Sequence, residues 1–253
     1  MTAPAAAAFD RAAPSYDQVF SDHPTAIAWR RTVWRRIETR LPRRGTLIDV
    51  GCGTGVDALH FAELGHAVIA VDVSPAMIAL TSGKSAARGA EGVRAHVVDA
   101  RDPASWEALG LDAGSVDVVY ASFGVLNCLP DLGVLATVAR RAIAPGGAVV
   151  LVPMPRICPR EIAGLEWRRL GRAPTATVEG MTVPLVYPTL REIARAFAPD
   201  FRIARAAPLG FLAAAPPAPP SPGLLVAIDS VAAVLPVLRG WGDHAIVELS
   251  RST

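Results

Sequence analysis

Thr46-Leu47-Ile48-Asp49-Val50-Gly51-Cys52-Gly53-Thr54-Gly55 decides how the rest of the chain is read. A short apolar run with β-branched residues leads through an acid into three glycines at alternate positions. Positions 56–64 then carry apolar side chains at helical spacing. The pattern predicts a buried strand, a tight turn and a helix whose N-terminus faces a ligand. Glycine serves where the backbone takes positive φ or a ligand must approach without a Cβ in the way. The helix start offers free N–H groups to an anion or polar group. A dinucleotide fingerprint, G-x-G-x-x-G, would need glycine at position 56 as well, and Val56 stands there.

Working outward on the C-terminal side, 67–72 is a second buried strand ending in Asp72, with Ser74 and Pro75 opening a helix. Positions 93–98 make a third strand, ending at Asp99, and Asp102-Pro103 opens a short helix. A fourth strand at 116–121 runs into Ser122-Phe123-Gly124. A helix over 131–143 stops at Ala144-Pro145-Gly146-Gly147, and 148–152 is a fifth strand. Strands alternating with helices at this rhythm predict an α/β, doubly wound, mostly parallel sheet covered on both faces.

The alternation breaks from 153 to 186, read as a cap over the strand ends with a helix over 161–170. Thr189 and Glu192 form a capping box for a helix to about 198, followed by a strand at 201–206. The stretch 208–243 is read as a loop-rich insertion containing a stiff proline run at 216–222, and 245–249 as the last strand. On the N-terminal side, the Ala/Pro-rich start of 1–14 is expected to be poorly ordered. A helix over 26–41 carries Ile27, Trp34, Ile37 and Leu41 on one stripe. Its arginines, Arg30, Arg31, Arg35 and Arg36, read as a solvated face, with one left as a partner for an acidic ligand. Domain boundaries follow: a lid at 1–41 and a core at 42–253 that carries the cap and the insertion.

At 253 residues and 51% hydrophobic, the chain suits one large domain. A net charge of +2 gives no argument for a nucleic-acid partner. Cys52, Cys128 and Cys158 match no zinc spacing, so no metal is expected, and they read as reduced thiols in a cytoplasmic protein. No basic region precedes the small apolar start, so no signal peptide is expected. The apolar stretch 224–238 is interrupted by Asp229 and Pro236 and is too short to span a bilayer.

The order Asp49, Gly51, Gly53, Gly55 resembles motif I of the class I S-adenosylmethionine (SAM)-dependent methyltransferases. Asp72, Asp99, the segment after strand 4 and Ala144-Pro145-Gly146-Gly147 match that family's later motifs in order. The likeness is nearest to its small-molecule branch, which includes the ubiquinone and menaquinone methyltransferases, and is best over 16–152. It implies a Rossmann-like seven-stranded sheet in the order 3-2-1-4-5-7-6, with strand 7 antiparallel. It also implies SAM as cofactor, with S-adenosylhomocysteine as product. The methionine moiety would lie along Gly51, Cys52, Gly53 and Gly55, with Asp49 beneath. Asp72 would accept both ribose hydroxyls, and Asp99 the adenine amino group, beside the Ala100 N–H. Val73 and Met77 would wall the base, and Ala121, Ser122 and Phe123 would flank the sulfonium.

Methyl transfer asks mainly that two partners be held in line and water excluded. A base is required only if the acceptor must lose a proton. The candidate bases are Tyr16, His23, His60 and His244; Tyr16 and His23 are favoured, because the resemblance implies an N-terminal segment that closes over the cofactor, and Tyr16 would also touch the cofactor. His60 reads as a packing or surface residue, His244 as structural at the start of the last strand, and Cys128 as a small apolar residue. The expected activity is transfer to a small, partly hydrophobic acceptor. Its apolar contacts would come from Pro153, Met154, Ile157, Ile162, Leu165 and Trp167, and Arg156, Arg160, Arg168 and Arg169 leave room for an acidic group. The alternative is a SAM-binding regulatory or carrier module without transfer. A nucleotide-dependent oxidoreductase is disfavoured by Val56, and a nucleic-acid methyltransferase by Ala121-Ser122-Phe123-Gly124 after strand 4.

Overall fold

The computed structural model describes residues 3–164, 169, 174–213, 218 and 223–252. The central strand β1 (Thr46–Val50) pairs in parallel with β2 (Ala67–Asp72) on one side and β4 (Val116–Ala121) on the other. Outward from these lie β3 (Val93–Val97) beyond β2 and β5 (Ile143–Leu151) beyond β4, both parallel. The hairpin β6 (Thr175–Val178) and β7 (Met181–Pro184) stands apart as a two-stranded sheet. The last pair, β8 (Phe201–Leu209) and β9 (His244–Arg251), completes the order β3-β2-β1-β4-β5-β9-β8, with β9 antiparallel to both neighbours. The expected strand order and the reversed last strand are therefore present.

Side-chain alternation along the inner strands explains the two layers of helix. Leu47, Val68, Ala70, Val118 and Tyr120 enter one core with Val33, Ile37 and Phe61. Their neighbours Ile48, Ile69, Val71, Val119 and Ala121 enter the other, with Leu135, Ile193 and Phe197. The first face is covered by α2 (Pro24–Glu38) and α3 (Val56–Glu63), the second by α6 (Gly133–Ala142) and α8 (Leu190–Phe197). The connection after β2 is α4 (Pro75–Arg88), capped by Ser74, and the Thr189–Glu192 capping box opens α8 as expected.

The sequence reading is corrected in four places. The N-terminal segment is α1 (Ala3–Ala12), whose Ala8 and Ala12 are buried; small side chains let the helix lie close against its neighbours. Asp10 pins it, accepting hydrogen bonds from the Ser74 hydroxyl (2.5 Å) and the Ala76 N–H (3.0 Å) at the start of α4. Helix α2 begins at Pro24 and ends at Glu38, because His23 caps it through Nδ1. In the cap, helix α7 covers only Pro159–Ala163, and the aperiodic stretch after it holds the β6–β7 hairpin, which packs on α1. The expected continuation at 165–168 and 170 lies outside the described residues. Within the stretch read as loop, β8 runs on to Leu209 and Gly223–Ala232 forms a helix, α9. Of the proline run, only residue 218 is described.

Candidate functional site

All parallel strands end on one side, and the cavity opens there, outside the carboxyl ends of β1, β2 and β4. Its volume is about 490 Å³, within the roughly 300–1,000 Å³ range of small-molecule pockets. The turn after β1 is its floor. Gly51 holds φ +69° while its N–H donates to the Val71 carbonyl at 2.7 Å, and a Cβ there would stand 2.2 Å from Val125. Glycine is required on both counts.

Asp72 ties the turn to the next loop. One carboxylate oxygen accepts the Gly53 N–H at 3.0 Å and the other the Ser74 N–H at 2.9 Å. Burial raises its pKa against these N–H groups, which pull the other way. Each oxygen keeps lone pairs for a diol. Asp99 is held by both arms of Arg101, at 2.9 and 2.8 Å, and those bonds lower its pKa.

Tyr16, Gly51, Cys52, Gly53, Asp72, Val73, Met77, Asp99, Ala100, Ser122 and Phe123 all line the cavity. Asp49, Gly55 and Ala121 stand behind its wall. Gly55 is the left-handed N-cap of α3, and Ala121 is packed in the core. Asp49 is buried, and its Oδ2 has no hydrogen-bond partner among the described residues. Burial, reinforced by Asp57, drives its pKa well up.

Three other readings change. Arg30 was expected on a solvated face, yet it is 9% exposed and lines the cavity. Its Nη1 donates to both oxygens of Asp57, at 3.2 and 3.3 Å. Asp57 also accepts from Trp34 Nε1 at 2.7 Å and from the Tyr120 hydroxyl at 2.6 Å. Arg30 lies three residues after Ile27 and seven before Ile37, so the helical stripe itself carried the signal. His23 is spent as a helix cap and does not line the cavity. Tyr16 does, but burial raises its phenol pKa, which suits a neutral donor better than a base.

Sequence reasoning also missed the far wall. Trp29, the hairpin residues Val178 and Val183, and His244 all line the cavity. Cys128 lines it as a protonated thiol, its pKa pushed up to about 11 by burial. Phe123 sits at φ +50°, a strained setting for a bulky residue. The Arg30 guanidinium lies 5.1 Å from its ring centroid.

Comparison with known proteins gives this geometry its family. A family model described as a methyltransferase domain matches residues 47–147. The demethylmenaquinone methyltransferase of Thermus thermophilus is 32% identical over 164 residues, 63% of this chain and 70% of that one. The chain belongs to the class I SAM-dependent methyltransferases. The malonyl-(acyl-carrier protein) O-methyltransferase of Yersinia pestis is 32% identical over 146 residues, 57% of this chain and 48% of that one. The chain thus spans about half the length of that second relative. Among solved structures, the CcbJ methyltransferase of Streptomyces caelestis superposes with a TM-score of 0.65 at 19% identity, over 97% of this chain and 98% of that one. At that identity the likeness shows the fold.

The cavity of this methyltransferase suits SAM, its methyl donor. The turn is free of side chains where a Cβ would intrude, and Asp72 has lone pairs in reserve. Asp49, behind that floor, keeps one carboxyl oxygen without a partner among the described residues.

Proposed function

We propose that this enzyme moves the methyl group of SAM to a small, partly hydrophobic organic acceptor, on oxygen, nitrogen or carbon. The observation that carries the reading is one cavity with two kinds of wall. Acid-tipped strand ends form one, and Phe9, Phe20, Trp29 and Val183 form an apolar one opposite. SAM supplies an electrophilic methyl on a sulfonium. The chain's own residues bind, orient and dehydrate. The Gly51–Gly55 turn would carry the methionine moiety, with Asp49 beneath. Asp72 would take the ribose hydroxyls. Asp99 and the Ala100 N–H would meet the adenine edge, between Val73 and Met77. Ala121, Ser122 and Phe123 would border the reacting group, Ala121 from behind. Most of the acceleration then comes from proximity and exclusion of water.

In the same reading, 1–41 is a lid and 42–253 the core, with 153–186 as a cap and 208–243 as an insertion. Asp10 and Asp17 support the lid role. Asp17 accepts from the Thr54 hydroxyl at 2.5 Å, beside the glycine turn, and pairs with Lys84. The enzyme would work in the cytoplasm with free thiols and without nucleic acid; among the described residues no helix is long and apolar enough to cross a membrane.

The test is release of S-adenosylhomocysteine from SAM in the presence of a panel of apolar, acidic and cationic small molecules. Turnover with apolar or acidic members is expected. Preference for small cations would overturn the acceptor class. Tight cofactor binding with no acceptor turned over in a producing-cell extract would support the carrier alternative.

A further inference from the structure

His244 is the first residue of β9 and is 7% exposed, yet it borders the cavity. Because β9 is antiparallel, its N-terminal end lies beside the carboxyl ends of the parallel strands, where the chemistry is. The imidazole is edged by two aromatic rings, Trp29 and Phe123, each 5.5 Å from it between centroids. Its buried Nδ1 makes no aligned hydrogen bond, but stands 3.2 Å from Asp243 Oδ1.

Asp243 is itself fixed. Arg160 reaches one of its oxygens at 3.3 Å and Arg169 the other at 3.5 Å. Arg169 also donates to the Asp243 carbonyl at 2.8 Å and pairs with Glu161. The result is a carboxylate anchored from behind, an imidazole in front of it, and an aromatic cavity beyond. The same cavity wall contains the strained Phe123, a feature that gathers at functional sites.

We propose that His244 is the general base that takes the proton from a ring-hydroxylated aromatic acceptor, with Asp243 holding the imidazole with its proton on Nδ1. This rests on the methyltransferase reading above and narrows its acceptor class. The acceptor O–H bond breaks toward His244 Nε2 as the oxygen forms its bond to the methyl carbon. The carbon–sulfur bond breaks with its electron pair left on sulfur, and the imidazolium later returns its proton to solvent. A phenol has a reference pKa near 10 and needs such help at neutral pH, whereas a neutral amine does not. The flat apolar walls at Trp29 and Phe123 suit an aromatic ring. The charged and titratable groups facing His244 are Asp243 on its own loop, with Arg160, Arg169 and Glu161 behind it. Asp243 in turn raises the pKa of Asp229 on α9; elsewhere on the cavity wall, among the described residues, stand Arg30 with Asp57, Tyr16, Asp72, Asp99, Arg101 and Glu179.

The test compares wild type, H244Q and H244N, each first shown to melt cooperatively and to bind S-adenosylhomocysteine as wild type does. Loss of that binding in wild type would instead remove the methyltransferase reading itself. With labelled SAM and a panel of simple phenols, catechols and anilines, wild type is expected to methylate hydroxyls. Its kcat/KM should rise with pH through one ionisation. Both variants are expected to lose at least roughly 100-fold in kcat/KM together with that pH dependence, and imidazole should restore part of the rate to H244N. In isotope-labelled histidine spectra of the S-adenosylhomocysteine complex, the His244 signal, absent from H244Q, should show a neutral ring protonated on Nδ1. The opposite tautomer, wild-type rates in both variants, or turnover confined to anilines would each overturn the proposal.

Discussion

The two walls of the cavity are built by different means. On the strand-end wall each of these lining residues follows its own strand within a few positions: Gly51 after β1, Asp72 closing β2, Asp99 after β3 and Ser122 after β4. On the opposite wall the residues come from α1, α2, the β6–β7 hairpin and the start of β9, and meet only because the chain folds back over the sheet. Local chemistry makes the first wall; long-range pairing makes the second. The comparison can be broken from either side.

The largest effect is expected where the two walls meet, at the pair between Asp57 of α3 and Arg30 of α2. Asp57→Ala would leave the buried Arg30 guanidinium without its carboxylate and strip acceptors from Trp34 and Tyr120. Removing one partner of a buried pair costs about 3–5 kcal/mol, so chemical denaturation should show a loss of that size. A loss under about 1 kcal/mol would mean that Arg30 finds solvent and the lid wall is loose.

Next is the first wall. Gly51→Ala forces a side chain to positive φ and into Val125. The expected cost is on the order of 3 kcal/mol, from backbone strain and overpacking together, and cofactor affinity should fall with it. A melting temperature equal to wild type would show that the turn can relax.

Smaller effects test the proposed lid. Asp10→Ala removes the carboxylate that accepts from Ser74 and Ala76, a cap worth about 1 kcal/mol. Dissociation of S-adenosylhomocysteine, followed by stopped flow, should accelerate several-fold; an unchanged rate would detach α1 from gating. The mildest test uses pH. Burial pushes the Asp17 carboxyl up, but hydrogen bonds from Lys84 and Thr54 outweigh it and hold the group below the ordinary carboxylate pKa. Its contribution is therefore complete above the unfolded value, roughly 3.9, and is lost as pH falls through the depressed one. Hydrogen exchange in α1 should speed up below about pH 4 in wild type, and less so in Asp17→Asn. Identical acid profiles in the two proteins would remove Asp17 from the latch.

The same contrast explains what was legible. The glycine turn, Asp72 and Asp99 were readable because strand, turn and cap signals are written within ten residues of each other; the sheet order came only with the family resemblance that those residues carry. The α1 helix was not, since an alanine-rich start looks unstructured until Asp10 finds Ser74. The hairpin at 175–184 has exposed and half-buried residues alternating on short strands, a weak period by itself. The place of Arg30 on the apolar stripe was legible but its partner Asp57 was not, and His244 required topology altogether. An arginine on an apolar stripe and a histidine opening a reversed strand acquire meaning once it is clear which end of the sheet they reach.

The most direct test of the central claim, that the strand-end wall holds the cofactor, is calorimetric titration of S-adenosylhomocysteine into wild type and Asp72→Ala. Wild type should bind with micromolar affinity, and loss of a charged hydrogen-bonding partner should weaken it roughly 10–100-fold. Equal affinity in the two proteins, or no heat with a folded wild type, would contradict the account.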